Sequence, residues 1–397
     1  MNILVLTKKL PFPVKDGESV AIINLARNLA LQGCKIHMLS IQTPKHYFQI
    51  ENIPGTLKEH IQFEAVFVDT SISITGILKN LFSNIPYHVQ RFISKDYAVK
   101  LANILKEGKF EIVQLEGLFL APYLEVIRRH SQAKIVLRSH NIEGNIWKGL
   151  SKSEKSYLKR ISLNWQSNKL LKYESKNVKN YDAVVPISLA DKMFFSEHNR
   201  SIKVKYIPSG IDVQEEESVF AGKINDLYFL GALDWLPNEE GLKWFIEKIF
   251  PFITKEKPGI TFHIAGRNGG NYFKELNNPN IVFYGEVEDA ERFLQYKAIC
   301  VVPLLSGSGM KIKILEAMAH GKYVITTPVG IEGFPEDIAE FCAITAKPDV
   351  FANTVLDALQ HPEAAANKGM LARQYVRDKF DNYKLAAELL QFYTSLL

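Results

Sequence analysis

Short apolar runs recur along the chain, separated by longer stretches in which apolar residues return every third or fourth position. The runs at 2–7, 35–41, 63–68, 112–115, 135–137, 183–185 and 202–207 carry little polar alternation. That is the signature of strands covered on both faces, as in a parallel sheet. The segment 19–31 has the period of an amphipathic helix, and Gly33 sits where such a helix ends. The order strand, helix, strand implies a parallel sheet with crossover helices. The alternation restarts after a polar stretch, with strands expected at 227–230, 261–264, 281–283, 299–302 and 323–325 and a helix at 237–252. From Pro348 the chain reads as helical to its end, interrupted near His361 and Pro362.

These patterns predict an α/β protein of two successive Rossmann-like domains. The first spans 1–210. A linker follows at 211–222, containing the run Glu215, Glu216 and Glu217, and the second domain spans 223–380. The final helix, 381–397, is left open as an element that packs back on the first domain. Ligands of such sheets bind beyond the carboxyl ends of the strands.

Composition narrows the class. A chain of 397 residues with 47% hydrophobic and 23% charged residues fits a globular enzyme with two cores. No apolar run approaches the roughly 20 residues that span a bilayer. Cys34, Cys300 and Cys342 are distant and odd in number, which suggests free thiols in a reducing, cytoplasmic compartment. The net charge of +5 is concentrated. Between 145 and 180 stand nine Lys or Arg against two Glu, with Leu158, Ile161 and Trp165 at helical spacing. Two readings follow. One is peripheral contact with the inner face of the cytoplasmic membrane. The other, the commoner arrangement, is a long surface helix with one face on the core. Nucleic acid is not expected as a partner, since no recognised nucleic-acid motif is present.

The densest chemistry lies between 303 and 330. The apolar run 298–305 ends in Gly307, Ser308 and Gly309, followed by Lys311, Lys313 and Glu316 at helical spacing. A strand that leads through a glycine-rich turn into a helix offers backbone N–H groups and a positive helix end to an anion. Two lysines favour a diphosphate, and a carboxylate further on can accept from ribose hydroxyls. A sugar nucleotide is the ligand this suggests. The plainer alternative has both lysines solvated, with Ile312, Leu315 and Met318 forming an ordinary core-facing stripe.

Seven stretches in order give the chain a family resemblance. They are 11–17, 138–143 (Arg-Ser-His-Asn-Ile-Glu), 206–212, 229–238 (ending Asp-Trp-Leu-Pro-Asn), 263–267, 283–289 and 303–330, which holds the glycine-lysine run. Together they resemble the retaining glycosyltransferases of family 4, in a branch with the Asp-Trp-x-Pro-Asn and Gly-Ser-Gly-x-Lys-x-Lys motifs. The resemblance implies a GT-B fold, with two Rossmann-like domains facing each other across a cleft. It implies transfer of a sugar from a nucleoside diphosphate sugar, UDP- or GDP-linked, to a glycan or lipid-linked acceptor, with retention and without a metal or other cofactor. Absence of any Asp-x-Asp in the chain agrees with the last point. Cell-surface polysaccharide assembly is the implied setting.

The resemblance also implies roles. His140, Lys311 and Lys313 are the catalytic candidates. Gly17, Gly285, Val287, Gly307, Ser308, Gly309, Met310, Lys311, Lys313 and Glu316 are the donor-binding set. Arg138, Asn141, Asp234 and Asn238 are assigned to the acceptor side or to support. The chain departs from the common pattern at two places. Ser308 stands where many members carry a glutamate, and Ala232 where many carry an arginine. A sugar-nucleotide 2-epimerase or hydrolase on the same fold, a degenerate nucleotide-sugar-binding protein and a membrane-surface scaffold stay open as alternatives.

Overall fold

The computed structural model describes residues 1–14, 16–80, 83–213, 226–294, 297–307 and 309–397. The chain divides into two compact units. Unit 1 comprises Met1–Ser209 together with Asn382–Leu397, and unit 2 is Gly210–Asp381. Of the linker expected at 211–222, residues 214–222 lie outside the described residues. Ile211 already belongs to unit 2, where its N–H donates to the Phe380 carbonyl at 2.8 Å.

Unit 1 is built on seven parallel strands: β1 (Asn2–Thr7), β2 (Lys35–Gln42), β3 (Ile61–Phe67), β4 (Ile112–Glu116), β5 (Lys134–Ser139), β6 (Ala183–Pro186) and β7 (Lys203–Val204). Their order is β3-β2-β1-β4-β5-β6-β7. β1 therefore lies between β2 and β4, and the order reverses there. Strands β1, β4 and β6 are almost wholly buried, as their unbroken apolar character requires. β7 is shorter than the expected 202–207, yet Lys205 and Ile207 continue the ladder by donating to Val184 and Pro186.

Unit 2 has six parallel strands: β8 (Asp226–Leu230), β9 (Thr261–Ala265), β10 (Ile281–Gly285), β11 (Ile299–Val302), β12 (Tyr323–Thr326) and β13 (Ala343–Ile344). The order β10-β9-β8-β11-β12-β13 repeats the reversal, now between β8 and β11. β13 has two residues and no pattern that periodicity could register.

Nine helices matter below. In unit 1 they are α1 (Gly17–Leu31), α2 (Ile74–Asn80), α3 (Tyr87–Gln90), α4 (Glu143–Ser153) and α5 (Tyr157–Asn177). In unit 2 they are α6 (Leu236–Lys248), α7 (Phe250–Glu256) and α8 (Ile312–Ala319), and α9 (Asn382–Thr394) returns to unit 1. The single helix expected at 237–252 is two, because the chain bends at Ile249 and Pro251 begins a new first turn, the position a proline tolerates. α9 packs on α1, burying Leu385, Ala386, Leu389 and Tyr393 in a cluster with Ile22, Leu25 and Leu29.

The basic segment is also two helices, α4 and α5. Its apolar triplet does not face the core. Leu158 is 78% exposed, Ile161 50% and Trp165 49%. The buried face of α5 is formed by Ser167, Leu170 and Glu174. Glu174 can be buried there because its carboxylate accepts from the Glu143 and Gly144 N–H groups at the start of α4, at 2.8 and 2.9 Å. No helix among the described residues is long and apolar enough to cross a membrane.

Candidate functional site

In unit 2 the residues after β8 and those after β11 come together at the point where the strand order reverses, the place where ligands of such sheets bind. α8 starts there. Lys311 is its N-cap and is nearly buried, with Nζ donating to the Gly309 carbonyl. Lys313, in the first turn, donates to Asn238 Oδ1. Its ammonium also lies 5.0 Å from the centre of the Phe229 ring and 5.3 Å from that of Trp235. Asn238 in turn donates through Nδ2 to the Ala232 carbonyl at 2.6 Å. The two motifs that stood out in sequence, 234–238 and 307–313, are thus two halves of one assembly.

The turn between them is shaped to match. Gly307 has φ 104° and Gly309 φ 77°, conformations that side-chain-bearing residues rarely hold. A Cβ at Gly307 would also stand 3.1 Å from the Trp235 ring. Beneath, Thr326 Oγ1 donates to the Val302 carbonyl at 2.7 Å, and Thr327 Oγ1 donates to the Leu304 carbonyl. These bonds tie the 326–330 segment to the loop after β11. Ser308 lies outside the described residues.

Burial sets the electrostatics. It pushes Lys313 down to about 7, with Lys311 adding and Glu316 opposing, and pushes Lys311 down to about 8 against the pull of Glu332. Burial raises Glu316, with Lys313 opposing. Two cations are thus held in a place that disfavours them, which an incoming anion would relieve. Gly285 ends β10 with φ 69°, its carbonyl accepting from Gly266 N–H at 2.7 Å, and Val287 packs against the neighbouring core. Met310, too, is half-buried against that core.

Of the residues assigned to the acceptor side or to support, Asn238 is buried and holds Lys313. Asp234 is at the surface, accepting from Asn268 Nδ2 at 2.9 Å.

Unit 1 has a polar centre of its own at its reversal point, between the ends of β1 and β4. His140 Nε2 lies 2.6 Å from Glu116 Oε2. Glu116 is 1% exposed, and its other oxygen accepts from Gln114 Nε2. Gln114 Oε1 accepts from the Tyr393 hydroxyl of α9. Arg138 is also 1% exposed, with Nε 3.8 Å from Glu116 Oε2. It therefore lies beneath the His140–Glu116 pair, in a supporting position. Asn141 is half-buried beside His140, its carbonyl accepting from Ser139 Oγ at 3.1 Å.

Gly17 opens α1, capped by Asp16, which accepts from Ser19 N–H at 3.0 Å and from Lys9 Nζ at 2.7 Å. Lys8 lies 3.1 Å from Glu18 and 3.9 Å from Glu143. Burial lowers Lys8's proton affinity but the two glutamates more than restore it, so the lysine stays charged. Glu116, Gln114, Lys8, Glu18 and Tyr393 were missed in sequence. Gln114 and Glu116 were the findable ones: two polar residues alternating inside a fully buried parallel strand need a reason to be there.

Residues 224–361 match the family model of Glycosyl transferases group 1. That stretch resembles a group 1 glycosyltransferase domain. The match covers β8 to β13, and so the whole Lys311–Lys313–Asn238 assembly. A relative over its full length is an uncharacterised 44.6 kDa protein from the cps region of Klebsiella pneumoniae, 22% identical over 98% of both chains. Among solved structures, a sucrose-phosphate synthase of Thermosynechococcus elongatus superposes with a TM-score of 0.67 at 17% identity, over 100% of this chain and 99% of that one. The HepE protein of Anabaena in complex with UDP superposes at 0.66 and 13% identity, over the whole of both chains. These likenesses give the chain the GT-B fold.

Proposed function

We propose that the chain transfers a hexose from a nucleoside diphosphate sugar to a hydroxyl of a glycan or lipid-linked acceptor, with retention, in assembly of a cell-surface polysaccharide. The observation that carries this reading is the pair of buried lysines at the start of α8, held by Asn238 and by the glycine turn. The UDP in the Anabaena neighbour and the cps region of the Klebsiella relative support a nucleotide donor and a polysaccharide setting.

In this reading the leaving diphosphate gains negative charge as the glycosidic bond breaks. Lys313, Lys311 and the N–H groups of the 307–311 turn stabilise it there, a contribution largest where water is excluded. Glu316, five residues past the N-cap, accepts from the ribose hydroxyls. His140, oriented by Glu116, hydrogen-bonds a hydroxyl of the sugar at the reacting centre. The acceptor hydroxyl loses its proton to the departing phosphate, on the face from which that phosphate leaves, so configuration is retained. Gly17, the first residue of the Asp16-capped helix, has no side chain to bar a close approach of the donor or acceptor to the backbone there. No metal is asked for, since the two ammonium groups supply the charge.

The test is thermal stability against UDP, GDP, ADP, TDP and CMP and their sugars. A nucleotide present at about 100 times its dissociation constant stabilises by roughly 2.7 kcal/mol. The expected result is a selective rise with one base, lost in Lys313→Ala and in Glu316→Ala. If no nucleotide moves the midpoint, the donor site is misassigned.

A further inference from the structure

Two cavities of unit 1 share Ile72. One, of about 480 Å³, opens beyond the ends of β2 and β3 and is walled by Lys8, Lys9, Lys45, His46 and Arg91. Glu18 is the one carboxylate among the residues lining it. Arg91 donates through Nη1 to the Thr70 carbonyl at 2.7 Å, while its buried Nε has no hydrogen-bond partner. The second cavity, of about 420 Å³, lies among α2, α3, α4 and α5, with Ile72, Ile77, Tyr87, Trp147 and Trp165 in its wall. Its polar groups are already matched to one another. His88 Nε2 is 2.6 Å from Gln166 Oε1, and Lys169 Nζ donates to Asn80 Oδ1 at 2.8 Å. What the groove offers a ligand is therefore ring faces and alkyl carbon.

We propose that unit 1 binds a single-chain amphiphile: a prenyl or alkyl chain carrying a phosphate or diphosphate. The phosphate occupies the hollow of Lys9, Lys45 and Arg91, and the chain occupies the Trp147–Trp165 groove. Resting on the transferase reading above, this makes the acceptor a sugar carried on such a lipid. Charge complementarity decides the occupant. An anion hollow that runs at Ile72 into an apolar groove matches one molecule with a charged end and an oily end. A free neutral glycan could lay a sugar face on the rings but has no charged end for the hollow. A bilayer surface would meet the protruding Leu158 and Ile161 but would not fill two concave sites.

Lys8 joins the hollow to the His140 centre of unit 1. It lines the cavity and also lies 3.9 Å from Glu143, close to His140. A sugar attached to the bound phosphate would extend that way.

The experiment is calorimetric titration of the full chain with farnesyl diphosphate, farnesol and inorganic diphosphate. Farnesyl diphosphate is expected to bind at least tenfold more tightly than either fragment. Trp165→Ser, a change at a half-exposed position that leaves folding intact, weakens farnesyl diphosphate about tenfold and leaves inorganic diphosphate unchanged. Lys45→Glu weakens both phosphate compounds. Binding persists in Lys313→Ala, whose lysine belongs to unit 2. The proposal is overturned if farnesyl diphosphate binds no more tightly than inorganic diphosphate, or if Trp165→Ser has no effect. It is equally overturned if phosphatidylglycerol vesicles retain the protein as strongly as the same vesicles doped with a prenyl diphosphate, which assigns the face to the bilayer. A UDP-dependent thermal shift that survives any of these results leaves the transferase reading standing and removes only the lipid acceptor.

Discussion

At the scale of residues, Lys313 and Lys311 set opposite pH dependences for stability and for binding. Free, they titrate near 7 and 8, against 10.5 for an ordinary lysine. An anionic diphosphate favours the charged forms, so binding above pH 7 must draw protons from solvent. Affinity for UDP is expected to fall as pH rises from 7 to 9, by up to about tenfold per unit for each lysine past its own value. Calorimetry at pH 8 in two buffers of different ionisation enthalpy would show the proton uptake. Stability of the empty protein runs the other way. Below pH 7 the cost of burying the Lys313 charge is fully present. From 7 to 10.5 the unfolded chain holds a proton that the folded one has released, so this lysine's contribution to stability rises. Parallel fall of both quantities would contradict the burial of these groups. For the His140–Glu116 pair, Glu116→Gln keeps shape but removes the charge that orients the imidazole. Turnover is expected to drop about 10²-fold or more, the lower end of what a positioned acid–base group contributes, with the UDP thermal shift unchanged.

At the scale of elements, close backbone approach decides more than side-chain chemistry does. Gly241 on α6 lies against the loop after β11, and a Cβ there would come 2.3 Å from the Pro303 carbonyl oxygen. Gly241→Ala is expected to cost about 1–3 kcal/mol by overpacking, read as a lowered denaturation midpoint, and to weaken nucleotide binding because α6 carries Asn238. Asn238→Ala leaves the Ala232 carbonyl and Lys313 without their partner. A loss of about 1–3 kcal/mol, the penalty of stranding buried polar groups, should appear in UDP affinity.

Neither contact could be read from the pattern of apolar positions. That pattern did locate every strand with a long enough apolar run, β1 and β11 to the residue. It failed where tertiary geometry intervenes. Examples are the bend at Ile249, the two-residue β13, and α5, whose Leu158, Ile161 and Trp165 have helical spacing but face outward. The lysines and Asn238 were visible as motifs because their types and spacing are local. The Glu116–Gln114–Tyr393 chain was not, because Tyr393 meets Gln114 from 279 positions away.

At the scale of the molecule, the two units differ in how the chain composes them. Unit 2 is one continuous stretch, Gly210–Asp381, with its own core and the whole lysine site. Expressed alone, it is expected to fold and to retain the UDP-dependent thermal shift. Unit 1 needs two pieces. Residues 1–209 alone leave the α1 face uncovered where Leu385, Leu389 and Tyr393 would be buried, each worth about 1.5–3 kcal/mol. That fragment should aggregate or melt far below the full chain, and a synthetic 382–397 peptide should raise its melting point.

The return of α9 also orders events at the ribosome. The first unit begun is the last one finished, because its closing helix is made only after the roughly 170 residues of unit 2. At usual elongation rates that is a wait on the order of ten to thirty seconds, during which the bare flank of α1 is open to a chaperone. A stop codon ahead of α9 therefore leaves unit 2 whole and leaves unit 1 without its closing helix. Loss of α9 would be read by the cell as a fault of unit 1, which makes synthesis of this distant helix a condition for the first unit to persist.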